Sequence, residues 1–496
     1  MLRELPDLRE DARALAAQLA RLRYRRAAGL PLQSGLREIV KAHPLASSAD
    51  GLAQAREALE DALGEDPRRP ARVARLSALR DFLVQARALA LDPGAAQELF
   101  ELSRRPLVHP PGDAGLHGAL PPVAVERDLP FERARDKRAD LEAALAHALQ
   151  PADGARTAAW EAAQTALAES GEQRSLAHSN QVNSVHFLDR TDALARDLGG
   201  WLLERHTGAK FYPGGAERHD LLHLLWAPHC ASAFPRGETL RTVRRWAEML
   251  HLDLGADGAI RLDEDDRPLK HPGARAEPID PPWEISLTFL PQEGPRALGR
   301  LLAAIGVAQT RAGPASDAPP EDLWLGDSAV LHACAALLEG LLREPEFLRR
   351  CAKADLGRDD ERAIAIAGVF DSRIAAARAL AAQQALESGL GSRTAQVHRE
   401  IYARAAGAEL PAGLALADLR PFHPGAEIEG RALDARMRAF LRDQFDEDWW
   451  RNPRSLVSLN SLWGRGGRST QAELWAEVGA EPGIDPLVEE LSESCL

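Results

Sequence analysis

The sequence predicts a mainly α-helical fold with one small β element. Three observations carry that reading. Ala, Leu and Arg dominate while aromatics make up only 5% of residues, a composition that favours helix. Apolar residues recur at helical spacing through most of the chain. Strand-like runs are confined to one stretch, residues 208–295, where prolines, glycines and β-branched residues concentrate.

Taken in order, residues 1–105 read as amphipathic helices. In DLREDARALAAQLARLRYRR, Leu8, Ala12, Leu15, Leu19 and Leu22 share one face. Residues 106–123 (PLVHPPGDAGLHGALPPV) have no periodicity and form a Pro/Gly-rich connection. It divides an N-terminal helical region, 1–123, from a larger region, 124–496. Helices return over 130–205. Two short strands are expected near 258–263 (GAIRLDEDD) and 283–290 (WEISLTFLP). In the second, Ile285, Leu287 and Phe289 alternate with polar residues, as in a half-buried strand. Helices resume from 296 to the end, and Thr470 with Glu473 forms a capping-box pattern.

The chain's 496 residues carry a formal charge of -13. An acidic balance argues against nucleic acid or an anionic membrane as the main partner. No run of about 18 apolar residues occurs, and the charged N-terminus lacks the apolar centre of a signal peptide. The four cysteines, Cys230, Cys334, Cys351 and Cys495, show no paired spacing and read as reduced thiols. A cytoplasmic location is the expectation.

Residues 283–339 carry the functional information. They read as strand, helix, Pro/Gly-rich loop and second helix. A helical zinc-peptidase site uses that layout, with two imidazoles at i and i+4 on the first helix, a glutamate base between them and a carboxylate on the second helix. The corresponding positions here hold Ala303, Ala304, Val307 and His332.

On these residues the segment resembles the oligoendopeptidase F/thimet-type (M3-like) zinc metallopeptidases. Gly306 matches the glycine common at the fourth position of the family's HExxH. Gly326, Asp327 and Val330 match the Gly-Asp-x-x-Val-Thr-Glu opening of the ligand-bearing helix, with Leu331 and His332 in place of Thr and Glu. Residues 262–275 (LDEDDRPLKHPGAR) are similar to the family's Leu-Asp-x-x-x-Arg-x-x-Lys-x-Gly-Ala segment. Residues 432–453 are similar to its C-terminal helix and turn. Glu427 and Glu429 stand where the resemblance places a cleft Tyr and Arg.

The resemblance implies a two-lobed helical fold around a central cleft. Its departures imply a catalytically inactive homologue without the family's zinc, since Ala and Val offer no donor and one imidazole cannot replace three ligands. The retained cleft would bind a peptide or protein partner, such as an active paralogue. Main-chain pairing would come from the strand bearing Ile285, Leu287 and Phe289, with His332 nearby.

Two alternatives stay open. HDLLH places His219 and His223 at i, i+4, with Glu217, His229 and Cys230 close in sequence, so an active zinc hydrolase with a relocated site is one. A satisfied or surface histidine pair is the plainer meaning of the same residues. A structural scaffold protein is the other alternative. GRGGRS (464–469) lacks the Lys-Ser/Thr ending of a phosphate loop and reads as a turn. Trp449-Trp450 reads as a packed helix end. His109 and His117 show no pattern. Cys334, two residues from His332, falls on another helical face, as a buried thiol would.

Overall fold

The computed structural model describes residues 5–65, 70–110, 118–171, 177–252, 254 and 258–496. It is mainly helical with one three-stranded sheet. Among the described residues no helix is long and apolar enough to cross a membrane. His117 lies outside them, and His109 is exposed in the 106–123 connection.

The first helix, Pro6–Ala27, buries Leu8, Ala12, Leu15, Leu19 and Leu22, the stripe that its spacing predicts. Their core also takes in Ala163, Ala166 and Leu323–Leu325, so the N-terminal packing unit crosses the 106–123 connection. A second, larger core gathers residues from Val108 to Cys495. Residues 208–295 hold more helix than their composition suggests, with Arg218–Trp226 and Thr239–Leu250 preceding the strands.

The sheet has the order β1–β3–β2: β1 is Ile260–Asp263, β2 Ala274–Asp280 and β3 Glu284–Phe289. β1 runs parallel to β3, and β2 antiparallel to it. β3 is therefore the central strand. Ser286 and Thr288 are buried along with Ile285, Leu287 and Phe289. The predicted half-buried alternation gives way to burial on both faces, because helices Pro6–Ala27 and Pro295–Ala312 both pack on this sheet.

The 262–275 segment is a structural pin. Lys270 is fully buried, and its Nζ donates to the Asp263 carbonyl at 2.7 Å, to Asp263 Oδ1 at 3.0 Å and to the Asp265 carbonyl at 2.8 Å. Arg267 donates to Asp263 and to the Ala28 carbonyl. A buried ammonium needs this complete set of acceptors. The pin also ties the end of the first helix to the β1–β2 connection.

Three helices then cross closely. A Cβ on Gly306, in Pro295–Ala312, would stand 2.1 Å from the Cys334 carbonyl oxygen of helix Ser328–Glu339. A Cβ on Gly430, in helix Ala426–Phe445, would stand 2.5 Å from the Cβ of His332. Only glycine permits either approach. Asp327 caps Ser328–Glu339: its Oδ1 accepts from the amides of Ala329 at 2.8 Å and Val330 at 3.4 Å. Its Oδ2 accepts from the Gln471 amide at 3.3 Å.

The Thr470–Glu473 capping box is present. The turn before it packs Gly467 against Gly326 and the Leu325 carbonyl, a steric role that leaves no phosphate cradle. Trp449 and Trp450 are fully buried.

Candidate functional site

Helix Pro295–Ala312 buries nearly all its residues. Between its first turn and Val307, those left partly open are Arg296, Arg300, Ala303 and Val307. Their spacings of four, three and four place them on one face. Ala303 and Val307, the two positions singled out by sequence, thus share the open face, whereas Ala304 is 6% exposed and packed inward. His332 on Ser328–Glu339 is exposed and makes no hydrogen bond to a described residue, while Cys334 is fully buried. Burial pushes the Cys334 thiol up to about 11, so it supplies no thiolate for His332 to activate.

Around this face lies a lattice of ion pairs. Arg296 grips Asp371 of helix Arg358–Ser388 with two bonds, 2.9 and 2.8 Å. Arg378, two turns along, donates to Glu427 at 2.8 Å. Arg431 lies 3.3 Å from Glu339 and 3.6 Å from Glu427. Burial alone would raise the Glu427 carboxyl, but Arg378, Arg431 and His332 outweigh it and hold it at about 2. Solvent reaches the His332 residue, yet partial desolvation among the surrounding helices lowers it, with Glu427 opposing. Glu427 is a committed anion beside it at pH 7.

Four further arginines face the same space without making an ion pair among the described residues. Arg300 is pressed first by its neighbour Arg296 and then by burial, and both lower it. Arg275 projects from β2, its Nη2 3.1 Å from His271 Nε2, and lies within electrostatic reach of Arg300 and Arg420. Arg26, in the last turn of the first helix, stacks over Phe100 at 4.7 Å, and burial lowers it to about 10. Arg420 donates only to the carbonyls of Ala417 and Leu419. Glu277, Glu126 and Asp418 are opposing charges nearby, Glu277 being paired with Arg23 at 2.9 Å, and burial raises the Glu126 carboxyl. These arginines form a cluster in electrostatic reach of one another, with guanidinium donors to spare.

Several expected site residues fall elsewhere. Ile285, Leu287 and Phe289 are core side chains, 0–1% exposed. Both edges of their strand are already paired, so that strand cannot add a peptide. The unpaired outer edge on the Arg275 side belongs to β2. Glu429 turns from Glu427 and accepts from Gln471 Nε2 at 3.1 Å.

His219 and His223 do not combine. His219 is buried with its Nε2 3.1 Å from Glu217 and its Nδ1 3.3 Å from Asp220. His223 Nδ1 instead pairs with the Pro130 carbonyl at 2.7 Å. The donor atoms gathered within 4.8 Å of one another at His219 are those of Glu142 and Glu217, without His223. Glu142 is already engaged by Arg218 at 2.8 Å and by the His219 amide at 3.0 Å. His219 thus sits in a buried polar cluster around Asp220, which Arg135 and Arg138 also contact, apart from His223.

Sequence reading missed Asp371, Arg378, Arg431, Arg275 and Tyr402. The last is buried within electrostatic reach of Arg218 and Arg378, and burial holds its hydroxyl far above its ordinary range. No local motif marks these residues. The one available signal was Arg300, which shares the helical face of Ala303.

No family model and no curated protein matches the chain. Solved structures do. An M32 carboxypeptidase from Deinococcus radiodurans R1 superposes with a TM-score of 0.55 at 14% identity, over 99% of this chain and 97% of that one. Pyrococcus furiosus carboxypeptidase gives 0.57 at 12% identity, over the whole of both chains (100% each). A structure described as an oligoendopeptidase F from Bacillus anthracis strain Ames gives 0.58 at 11% identity, over 92% and 85%. At such identities the likeness establishes the fold: the helical fold of M32 carboxypeptidases and oligoendopeptidase F-like peptidases. The M32 enzymes widen the resemblance beyond the M3-like group that the sequence motifs suggest.

Proposed function

We propose that this chain is a non-hydrolytic relative of the helical metallopeptidases that binds an acidic peptide segment of a partner protein through its arginine cluster. The observation that carries this reading is the open face of Pro295–Ala312. Where a catalytic metal would need three protein ligands and a water, that face offers Ala303 and Val307. Opposite stand His332 and Glu427, the carboxylate already held by Arg378 and Arg431. Arg300, in no ion pair among the described residues and only partly offset by Glu339 and Asp371, adds a positive charge that opposes a cation there.

The same arginines favour an anion. Arg26, Arg275, Arg300 and Arg420 supply forked donors suited to carboxylates. The free edge of β2 offers main-chain pairing beside Arg275, so an extended segment adding to that edge would run its side chains past the guanidinium groups. An active paralogue is one class of partner that would present such a segment.

Fluorescence anisotropy with a labelled Glu-Ala repeat peptide and its Gln-Ala counterpart tests this. The acidic peptide should bind at least tenfold more tightly, weaken as salt rises, and lose its advantage in Arg275→Gln and Arg300→Gln. Equal binding of the two peptides removes the charge selection. Cleavage of either peptide by purified protein, read by mass spectrometry and abolished by chelator, removes the non-hydrolytic reading.

A further inference from the structure

Away from the cleft, the turn after helix Arg218–Trp226 meets the first turn of Arg358–Ser388. His229 and Cys230 lie in the short turn Pro228–Cys230, entered through Ala227 in the left-handed conformation (φ 48°). Asp360 stands in the first turn of the long helix. Its Oδ2 accepts from the Gly357 amide at 3.2 Å. Its Oδ1 faces the turn, 3.7 Å from Cys230 Sγ and 3.8 Å from His229 Nε2. The donor atoms of His229, Cys230 and Asp360 all lie within 4.8 Å of one another. The His206 ring lies on that of His229, centroids 3.8 Å apart and 16° from parallel. His206 Nε2 is buried with no hydrogen-bond partner among the described residues, and the stacking leaves its lone pair directed away from any ion held by His229.

We propose that His229, Cys230 and Asp360 form a three-ligand binding site for a divalent transition metal, with zinc the best match. Bonds of about 2.0–2.3 Å at tetrahedral angles put donor atoms roughly 3.4–3.6 Å apart. The observed 3.7 and 3.8 Å separations are a few tenths wider and would close on an ion with small side-chain movements. The donor chemistry is mixed nitrogen, sulfur and oxygen, which suits zinc and excludes magnesium or calcium.

Charge also balances. A thiolate and a carboxylate neutralise a divalent ion, and the Cys230 proton leaves to solvent as the sulfur–metal bond forms. The nearby cation Arg205 is already paired with Asp359 at 2.8 Å. Three protein ligands leave the fourth position to solvent, and the ion would fasten the start of the long helix to the turn.

The test uses the full-length protein dialysed against zinc and then against metal-free buffer. Mass spectrometry should find one zinc per chain, lost in Cys230→Ser and His229→Gln but retained in His219→Ala. Cobalt substitution should give a near-ultraviolet thiolate-to-metal band that Cys230→Ser removes, and chelator should lower the unfolding temperature of wild type but not of Cys230→Ser. No bound metal in wild type, or zinc retained by a folded Cys230→Ser, overturns the proposal. The partly exposed His229 provides the variant least dependent on core packing.

Discussion

The two faces of helix Pro295–Ala312 obey different constraints. On the packed face, Gly306 meets a neighbouring backbone at a distance no side chain survives. On the open face, Ala303 and Val307 touch little and border an arginine-lined space. The packed face is set by geometry: replacing a residue there moves a helix. The open face is set by chemistry: replacing a residue there changes what can bind and leaves the crossing intact. Gly306 and the Gly326–Asp327 cap, which the sequence comparison picks out, and Gly430 all hold steric positions.

Perturbing each side sharpens this contrast. Gly306→Val should cost about 3 kcal/mol or more in urea denaturation, because the Cys334 carbonyl is backbone and cannot turn aside. A loss below about 1 kcal/mol would mean the crossing is looser than drawn.

Glu427→Gln addresses the boundary between the faces. Its carboxyl sits at about 2 against an ordinary 4.5. A lowered folded-state value contributes stability above pH 4.5 that disappears as pH falls toward 2. The variant should be less stable at pH 7 by on the order of 2 kcal/mol and should show a flatter stability curve across that acid window. An unchanged acid limb would show that Arg378 and Arg431 do not hold Glu427 as described.

Asp327→Ala removes the cap of Ser328–Glu339 and should cost about 1 kcal/mol, read by thermal unfolding with Asp327→Asn retaining most of the stability. Ala303→Ser and Val307→Thr, on the open face, should stay within about 0.5 kcal/mol of wild type. A larger loss there would show that the face is packed and that the cleft is narrower than its exposure indicates.

The contrast also explains what the sequence could reveal. The first helix was legible because five apolar residues repeat at helical spacing, and one buried stripe follows directly. β1 and β3 were legible as short apolar runs. β2 was not: Pro278 and its charged residues weaken the strand signal, and the pairing with β3 shifts register between Pro278 and Asp280. Missing β2 is what made β3 look like an edge.

The open face of Ala303 and Val307 was readable from their i, i+4 spacing. Their electrostatic surroundings were not. Arg378 and Asp371 sit in a 31-residue helix where charges at turn spacing look like ordinary solvated positions. Their partners, Glu427 and Arg296, lie 49 and 75 positions away. The reverse error arose at His219 and His223, where metal-like spacing concealed commitments to Glu217, Asp220 and Pro130 that only the folded chain brings close.

The Gly306 crossing has a consequence for how such a chain can change over time. Backbone arrangements are hard to acquire, since an intermediate with a displaced helix is an unstable protein. Side chains on an open face are easy to exchange one at a time. A lineage holding Gly306, Gly430 and the Asp327 cap can drift freely at positions 303, 307 and 332, and recruitment to a new ligand requires no refolding. For a designer, the same arithmetic makes this helix pair a ready mount on which new chemistry can be set by point substitution.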